Sequence, residues 1–414
     1  MVNDLKFAIR QLRKSPGFTL TALLTLALGI GATTAIFTLV YDVMLRPLPF
    51  AHADRLMVVE EKVADWSNLY PTLPVSANHF AFWEQHNRSF DAIAVMREFS
   101  MPLLPGRPAG AFGANDRPLL TGVLNATPGI FSVLQVQPEI GRAFTIAEAQ
   151  PGHDRVALLT WDLWREQFGG DKRIVGKSIT LNGFPYTVLG VMPQSFHMPA
   201  VENMATITNI TRREPLGAIV PLAFSKDQLA EEMGDLNYFG LARLKPGVSI
   251  AAATADLNAL QHTISVNLPP DEKSTLSAVL TPFQDELVGT NRKPLIILLA
   301  AVAGLLLVGC LNIANLLLAR AVGQRQQMAV AAALGASRAE MVRMALRETV
   351  VLAALGGGLG ILLAASLVPG MQRYLPAALD FRGPLHLDWT GAACALLLAL
   401  LATLLAGAAP GFLV

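Results

Sequence analysis

The chain has 414 residues, of which 52% are hydrophobic and only 15% charged, and its formal net charge is +1. That charge density is well below the roughly one-quarter usual for soluble domains, and the near-neutral balance gives no reason to expect nucleic acid, which demands a basic face. Both cysteines, Cys310 and Cys394, fall in apolar runs, so the middle of the chain can hold neither a disulfide nor a cysteine metal cluster.

Residues 1–17 read as a cytoplasmic amphipathic segment carrying Lys6, Arg10, Arg13 and Lys14. An uncharged stretch from Ser15 to Tyr41 follows, long enough for the ~20-residue bilayer core, and a first transmembrane helix is placed at 18–45. It exceeds the roughly 7–15 apolar residues of a signal-peptide core and ends in no small-x-small cleavage site, so it is expected to persist as an anchor. Ala27, Gly31 and Ala35 give it small residues at the four-residue spacing that lets helix backbones approach.

Residues 46–293 read as a large domain of mixed strand and helix. Strand patterns cover Arg55 to Glu60, Tyr238 to Leu244 and Leu276 to Leu280, while Ser76 and Ser249 are placed to cap helices. Two strand–helix–strand units thus flank a β-rich portion at about 120–200, which reads as an inserted subdomain. In that portion, Asn182-Gly183 joins two strands as a hairpin, and Trp161, Trp164 and Phe168 lie on one aromatic helix.

Three more uncharged stretches follow, giving spans at 294–319, 349–372 and 389–414. Basic residues gather before the first span and, as Arg320, Arg325, Arg338, Arg343 and Arg347, between the second and third. The N-terminus and the 320–348 loop are therefore expected in the cytoplasm, with 46–293 and the short loop 373–388 outside. The fold class is thus a four-span helical membrane protein with a large extracytoplasmic α+β domain between spans 1 and 2. None of the four apolar stretches, Ser15 to Tyr41 included, carries a charged side chain, which argues against a proton-coupled carrier or ion pump. Asn312 and Asn315 read as helix-to-helix hydrogen bonders, and Gly356 and Gly360 form a G-x-x-x-G pair in the third span.

The 320–348 loop has its own punctuation. Gly335 is a natural helix stop, and Ser337 with Glu340 has the spacing of a capping box that opens a second helix. Local pattern alone leaves two readings open: a stiff cytoplasmic knob, or a plain connector lying on the membrane surface. Catalytic and nucleotide motifs do not emerge. Gly176-Lys177-Ser178 resembles the end of a phosphate loop, but Asp171 stands where the motif needs glycine. The histidines are scattered, and neither H-E-x-x-H nor G-x-S-x-G occurs. No enzyme activity, metal or cofactor is expected.

Taken in order, several motifs make the chain resemble the MacB-like, FtsX-like ABC transporter permeases, and among them the duplicated orphan permeases of Acidobacteria. These are Asp4 to Leu12 with Ser15-Pro16-Gly17-Phe18-Thr19, Leu45-Arg46-Pro47-Leu48-Pro49 and Gly141-Arg142-Ala143-Phe144. They continue with Trp164 to Gly170, Leu181-Asn182-Gly183, Val188 to Pro193, Arg243 to Gly247, Cys310 to Arg320 and Leu334-Gly335-Ala336-Ser337. The resemblance implies a multi-pass protein of the bacterial inner membrane, contacting lipid, that works in efflux beside a separate ABC ATPase subunit carrying the ATP. It also implies a homodimer or pairing with a second permease half, and the chain is expected to be one such half-unit. By the same resemblance Arg320, Arg325, Gln326, Gln327, Gly335 and Ser337 belong to the ATPase-coupling knob, and ATPase-driven motion passes through the first two spans to the outer domain. Gln326-Gln327 stands where the family commonly has Arg-Glu, and Ala331 replaces a frequent arginine. The alternatives carried forward are an FtsX-like regulator of an envelope enzyme and a decoupled orphan permease.

Overall fold

The computed structural model describes residues 15–104, 118–199, 214–270, 272–289, 292–323, 338–371, 387 and 389–411, with side chains for all of these except 316–323, 338–349 and 401–411. In chain order the elements begin with α1 (Pro16–Val40), β1 (Leu56–Val63), α2 (Ala77–His86), β2 (Phe90–Leu104), β3 (Leu119–Ala126), α3 (Gly129–Leu134) and β4 (Ile140–Gly141). They continue with β5 (Val156–Leu159), α4 (Trp161–Phe168), β6 (Ser178–Leu181), β7 (Phe184–Val191), β8 (Leu216–Pro221), α5 (Lys226–Ala230) and β9 (Phe239–Leu244). Last come α6 (Ile250–Asn267), β10 (Leu276–Pro282), α7 (Phe283–Val288), α8 (Arg292–Gly323), α9 (Arg338–Met371) and α10 (Trp389–Gly411).

The chain divides into a helical unit and an outer unit spanning 47–289. In the helical unit, Pro16 starts α1 at a position where its missing N–H costs nothing. Thr21, Thr25 and Thr38 each donate to the carbonyl four residues back, whereas the buried Thr34 hydroxyl has no partner among the described residues. Leu26, Ile30, Cys310, Ile313 and Leu352 form a shared apolar cluster, and Thr33 Oγ1 donates across to the Val302 carbonyl at 3.3 Å. Among the described residues three helices are long and apolar enough to cross a membrane: Pro16–Leu45, Arg292–Asn315 and Val350–Met371. The apolar stretch described in α10, Trp389–Leu400, is shorter than that. Among the described residues α8 packs through Cys310, Ile313 and Ala314, and Asn312 and Asn315, expected to bond another helix, lie exposed on its other side.

The outer unit is built on one mixed sheet, in the order β10-β1-β9-β2-β3-β8-β5-β7-β4, with β6 pairing β2 and β7. β1 lies between β9 and β10, and β9 lies between β1 and β2, so the units β1-α2-β2 and β9-α6-β10 interlock as split strand–helix–strand motifs. Ser76 and Ser249 cap α2 and α6 through their side chains, and both helices pack over the face carrying Met57, Val59, Val95 and Ala242. The opposite face packs Leu56, Val58, Met96 and Leu124 against α3 and α7. Asn182 and Gly183, both at positive φ, turn β6 into β7.

The portion at 120–200 departs from the expected inserted subdomain. It keeps its own apolar cluster around Trp164, Ile179 and Val188, but its strands extend the common sheet. The reason is β2, whose 15 residues pair with β9 at one end and with β3 and β6 further along.

Candidate functional site at the junction strand

The first apolar helix enters the outer unit through residues 46–55 and β1, and the second leaves it through β10 and α7. β1 and β10 are antiparallel neighbours, in register from Met57↔Pro282 to Val63↔Leu276. Both links to the helical unit therefore attach at the same end of one strand pair. The links also pack together: Leu48 and Phe50 share a buried cluster with Phe283 and Leu287, and the Phe50 and Phe283 rings stack with centroids 6.5 Å apart. α7 ends at Gly289, whose φ of +41° is a conformation that glycine adopts without steric cost.

Two arginines fix the entering link to the sheet. Arg55 donates Nε to the Leu244 carbonyl at 2.7 Å and pairs with Asp91. Arg243 is fully buried; its Nε donates to the Val133 carbonyl at 2.6 Å and its Nη1 to the His52 carbonyl at 3.1 Å. Burial, aided by nearby Arg55, pulls its pKa below the usual arginine range. The two carbonyl oxygens and the nearby Asp91 and Asp54 charges favour its cation, while Nη2 has no partner among the described residues.

β1 carries two adjacent buried carboxylates, and strand alternation sends them to opposite faces. Glu61 points under α2 and α6. It meets His79 Nδ1 at 2.6 Å and accepts from the Ser76 N–H at 2.9 Å and from Gln261 Nε2 at 3.0 Å. The other ring nitrogen of His79 lies 2.8 Å from the Glu232 carbonyl. Both nitrogens face oxygen atoms, an arrangement that an imidazolium satisfies by donating at both positions. Burial alone would lower its pKa; the Glu61 charge and hydrogen bond, with the Glu232 carbonyl, outweigh that and raise it. Glu60 faces the other way. Burial raises its pKa to about 7, opposed by a 2.8 Å hydrogen bond from Thr72 Oγ1 and assisted by the charge of Glu286 on α7.

In the helical unit the structure brings Gly31, Gly356 and Gly360 together. A Cβ at Gly356 would lie 2.6 Å from Leu26 Cβ, one at Gly360 3.1 Å from Ile30 Cβ, and one at Gly31 3.0 Å from the Gly360 carbonyl. The backbones of α1 and α9 touch there. Arg320 lies within α8, among the residues whose side chains are not described; Arg325, Gln326, Gln327, Gly335 and Ser337 lie outside the described residues. Sequence reasoning missed the His79–Glu61–Gln261 cluster, whose members are 18 and 200 positions apart along the chain. The one available signal was a lone histidine in the first turn of a capped helix.

Several of the motifs that carried the resemblance have structural roles. Arg142 makes a two-armed ion pair with Glu148 at 2.7 and 2.9 Å, which holds that carboxyl down at about 2. A side chain at Gly141 would meet the Leu189 carbonyl at 2.0 Å, and Phe144 packs edge-on to Phe131. Trp164 donates Nε1 to the Asp171 carbonyl at 3.1 Å. Lys177 and Ser178 lead into β6, a strand, where a phosphate loop would open a helix. Among the described residues no group of His, Cys, Asp and Glu is placed to hold a metal.

The MacB-like periplasmic core domain matches residues 19–260, and the FtsX-like permease C-terminal region matches 299–414. The chain belongs to the MacB-like, FtsX-like permease family. This permease is 27% identical over 220 residues to the macrolide export ATP-binding/permease protein MacB of Nitrobacter winogradskyi, covering 51% of this chain and 30% of that one. It thus spans under a third of that curated relative. Solved structures similar to the permease include a permease domain from Porphyromonas gingivalis, 19% identical, covering 56% of this chain and 93% of that one at a TM-score of 0.37. The periplasmic region of MacB from Actinobacillus actinomycetemcomitans is 12% identical, with 57% and 92% covered and a TM-score of 0.37. The apolar helices with a periplasmic-type domain make this a membrane protein with an extracytoplasmic part.

Proposed function

We propose that the chain is the permease subunit of an ABC-type export system, which takes motion from a separate ATPase and passes it to the extracytoplasmic domain to move substrate already outside the membrane. The junction strand pair carries this reading. A displacement of either of the first two apolar helices acts on adjacent, hydrogen-bonded strands whose links are packed on each other. The apolar stretches agree with it, Asp42 near the end of the first span being paired with Arg46, because substrate on the outer side needs no polar path through the bilayer.

In this reading four helices, at 18–45, 294–319, 349–372 and 389–414, cross the bacterial inner membrane. The N-terminus and 320–348 are cytoplasmic, the 46–293 domain enters the chain between the first two spans, and Arg320 to Ser337 receives the ATPase. The unit pairs with a second copy or a second permease half. In support, the most apolar window of the second span is only 11% buried within this chain, against 61% for the first. Asn312 and Asn315 are exposed on that same helix, where a partner helix would relieve the cost of bare amides in lipid.

A photo-crosslinker at Gln327 in native membranes tests the proposal. Capture of an ABC ATPase is the expected outcome. Capture of lipid or permease alone, at normal expression, would leave the regulatory or decoupled alternative in its place.

A further inference from the structure

Glu60 sits where the junction is made. It shares its face of β1 with Leu56 and Val58, which pack in the same cluster as Phe50, Phe283 and Leu287. It is 8% exposed. Its polar contact is the hydroxyl of Thr72, and among the described residues the charged group acting on it is a second carboxylate, Glu286, from the covering helix α7. The neighbouring strand β10 sets Val279 opposite it, and Lys62, two residues along β1, is exposed. A buried carboxylate with one hydroxyl donor and a like charge beside it is poorly compensated when ionised. On the other face of the same strand Glu61 has a histidine, an amide and a backbone N–H.

We propose that Glu60 is a proton-operated latch on the junction: protonated, it lets α7 lie closed on β1, and ionised, it repels Glu286 and loosens α7, the helix that leads into the second span. The latch rests on the junction geometry and not on an ATPase partner, so it stands or falls separately from the permease reading.

The sign follows from the raised pKa. The closed form binds the proton more tightly than the open form, so closure is favoured in acid and weakens as pH rises through about 7. With the open form titrating at 4.5 and the closed form at about 7, the opening equilibrium grows about tenfold between pH 6 and pH 8.

The test is amide hydrogen exchange on the full chain in nanodiscs at pH 6, 7 and 8, corrected for intrinsic rates and read on peptides from α7 and β1. Wild type is expected to show the tenfold rise. Glu60→Gln, which keeps an acceptor for Thr72 but cannot ionise, is expected to exchange slowly at all three values. Glu286→Gln is expected to move the rise to lower pH and to shrink it between pH 6 and pH 8, because the charge that helps raise the Glu60 pKa is gone. A pH dependence that survives in Glu60→Gln overturns the latch. Should that variant not fold, a wild-type α7 whose protection is the same at pH 6 and pH 8 overturns it equally.

Discussion

Replacing His79 by alanine is expected to destabilise the outer domain by about 3–5 kcal/mol, because it leaves the Glu61 carboxylate buried without its counterion. Glu61 would keep only the Ser76 N–H and Gln261. Adding Glu61→Gln to His79→Ala should recover part of the loss, since no bare charge then remains in the core. Denaturant unfolding of the full chain in detergent, followed by tryptophan fluorescence, reads the effect: Trp83 packs beside His79 with ring centroids 6.5 Å apart. The pH dependence has a definite sign. The folded-state pKa of His79 is raised above 6.5, so the pair's contribution is complete below that value and is lost as pH rises through the folded pKa. The gap between wild type and His79→Ala should therefore narrow towards alkaline pH. A gap that widens would mean that His79 is neutral in the fold.

Gly356→Leu is expected to disrupt the packing of α1 on α9. A Cβ at that position already meets Leu26 Cβ at 2.6 Å, and a full leucine must push the helices apart, at a cost of about 1–3 kcal/mol or more. Close approach is a main source of helix association in lipid, where burial of apolar surface contributes little. Gly358 is the control two residues away, since a Cβ there meets nothing within 4 Å. The readout is maleimide labelling of Cys310, which is buried in the same cluster as Leu26. Labelling should accelerate in Gly356→Leu and stay at the wild-type rate in Gly358→Leu. Equal acceleration in both would argue that bulk in the helix, and not the contact, is what matters.

The membrane helices were legible because length without charge is a one-dimensional property: α1, at Pro16–Val40, lies inside the uncharged stretch from Ser15 to Tyr41. Caps at Ser76 and Ser249 and the turn at Asn182-Gly183 were legible for a similar reason, being set by a few adjacent residues. β2 was not. Its 15 residues include Arg97, Glu98 and Pro102, and it is buried from both sides over part of its length, so no alternation marks it. Missing that strand made one sheet look like a domain with an insert. The site was less readable still. Nothing local distinguishes Glu60 from Glu61, although one is paired with a histidine and the other stands against a carboxylate. That difference arises only when α2, α6 and α7 close over the two faces of β1.

The central claim is that motion reaches the outer domain through the junction strands. The most direct measurement places a single spin label at Leu69, which is 78% exposed, with Cys310 and Cys394 replaced by alanine. Distances between labels on paired copies are then recorded in membranes containing the captured ATPase. The account predicts a defined distance distribution that shifts between nucleotide-free and vanadate-trapped samples. Absence of coupling between labels, or one distribution in both states, would contradict it.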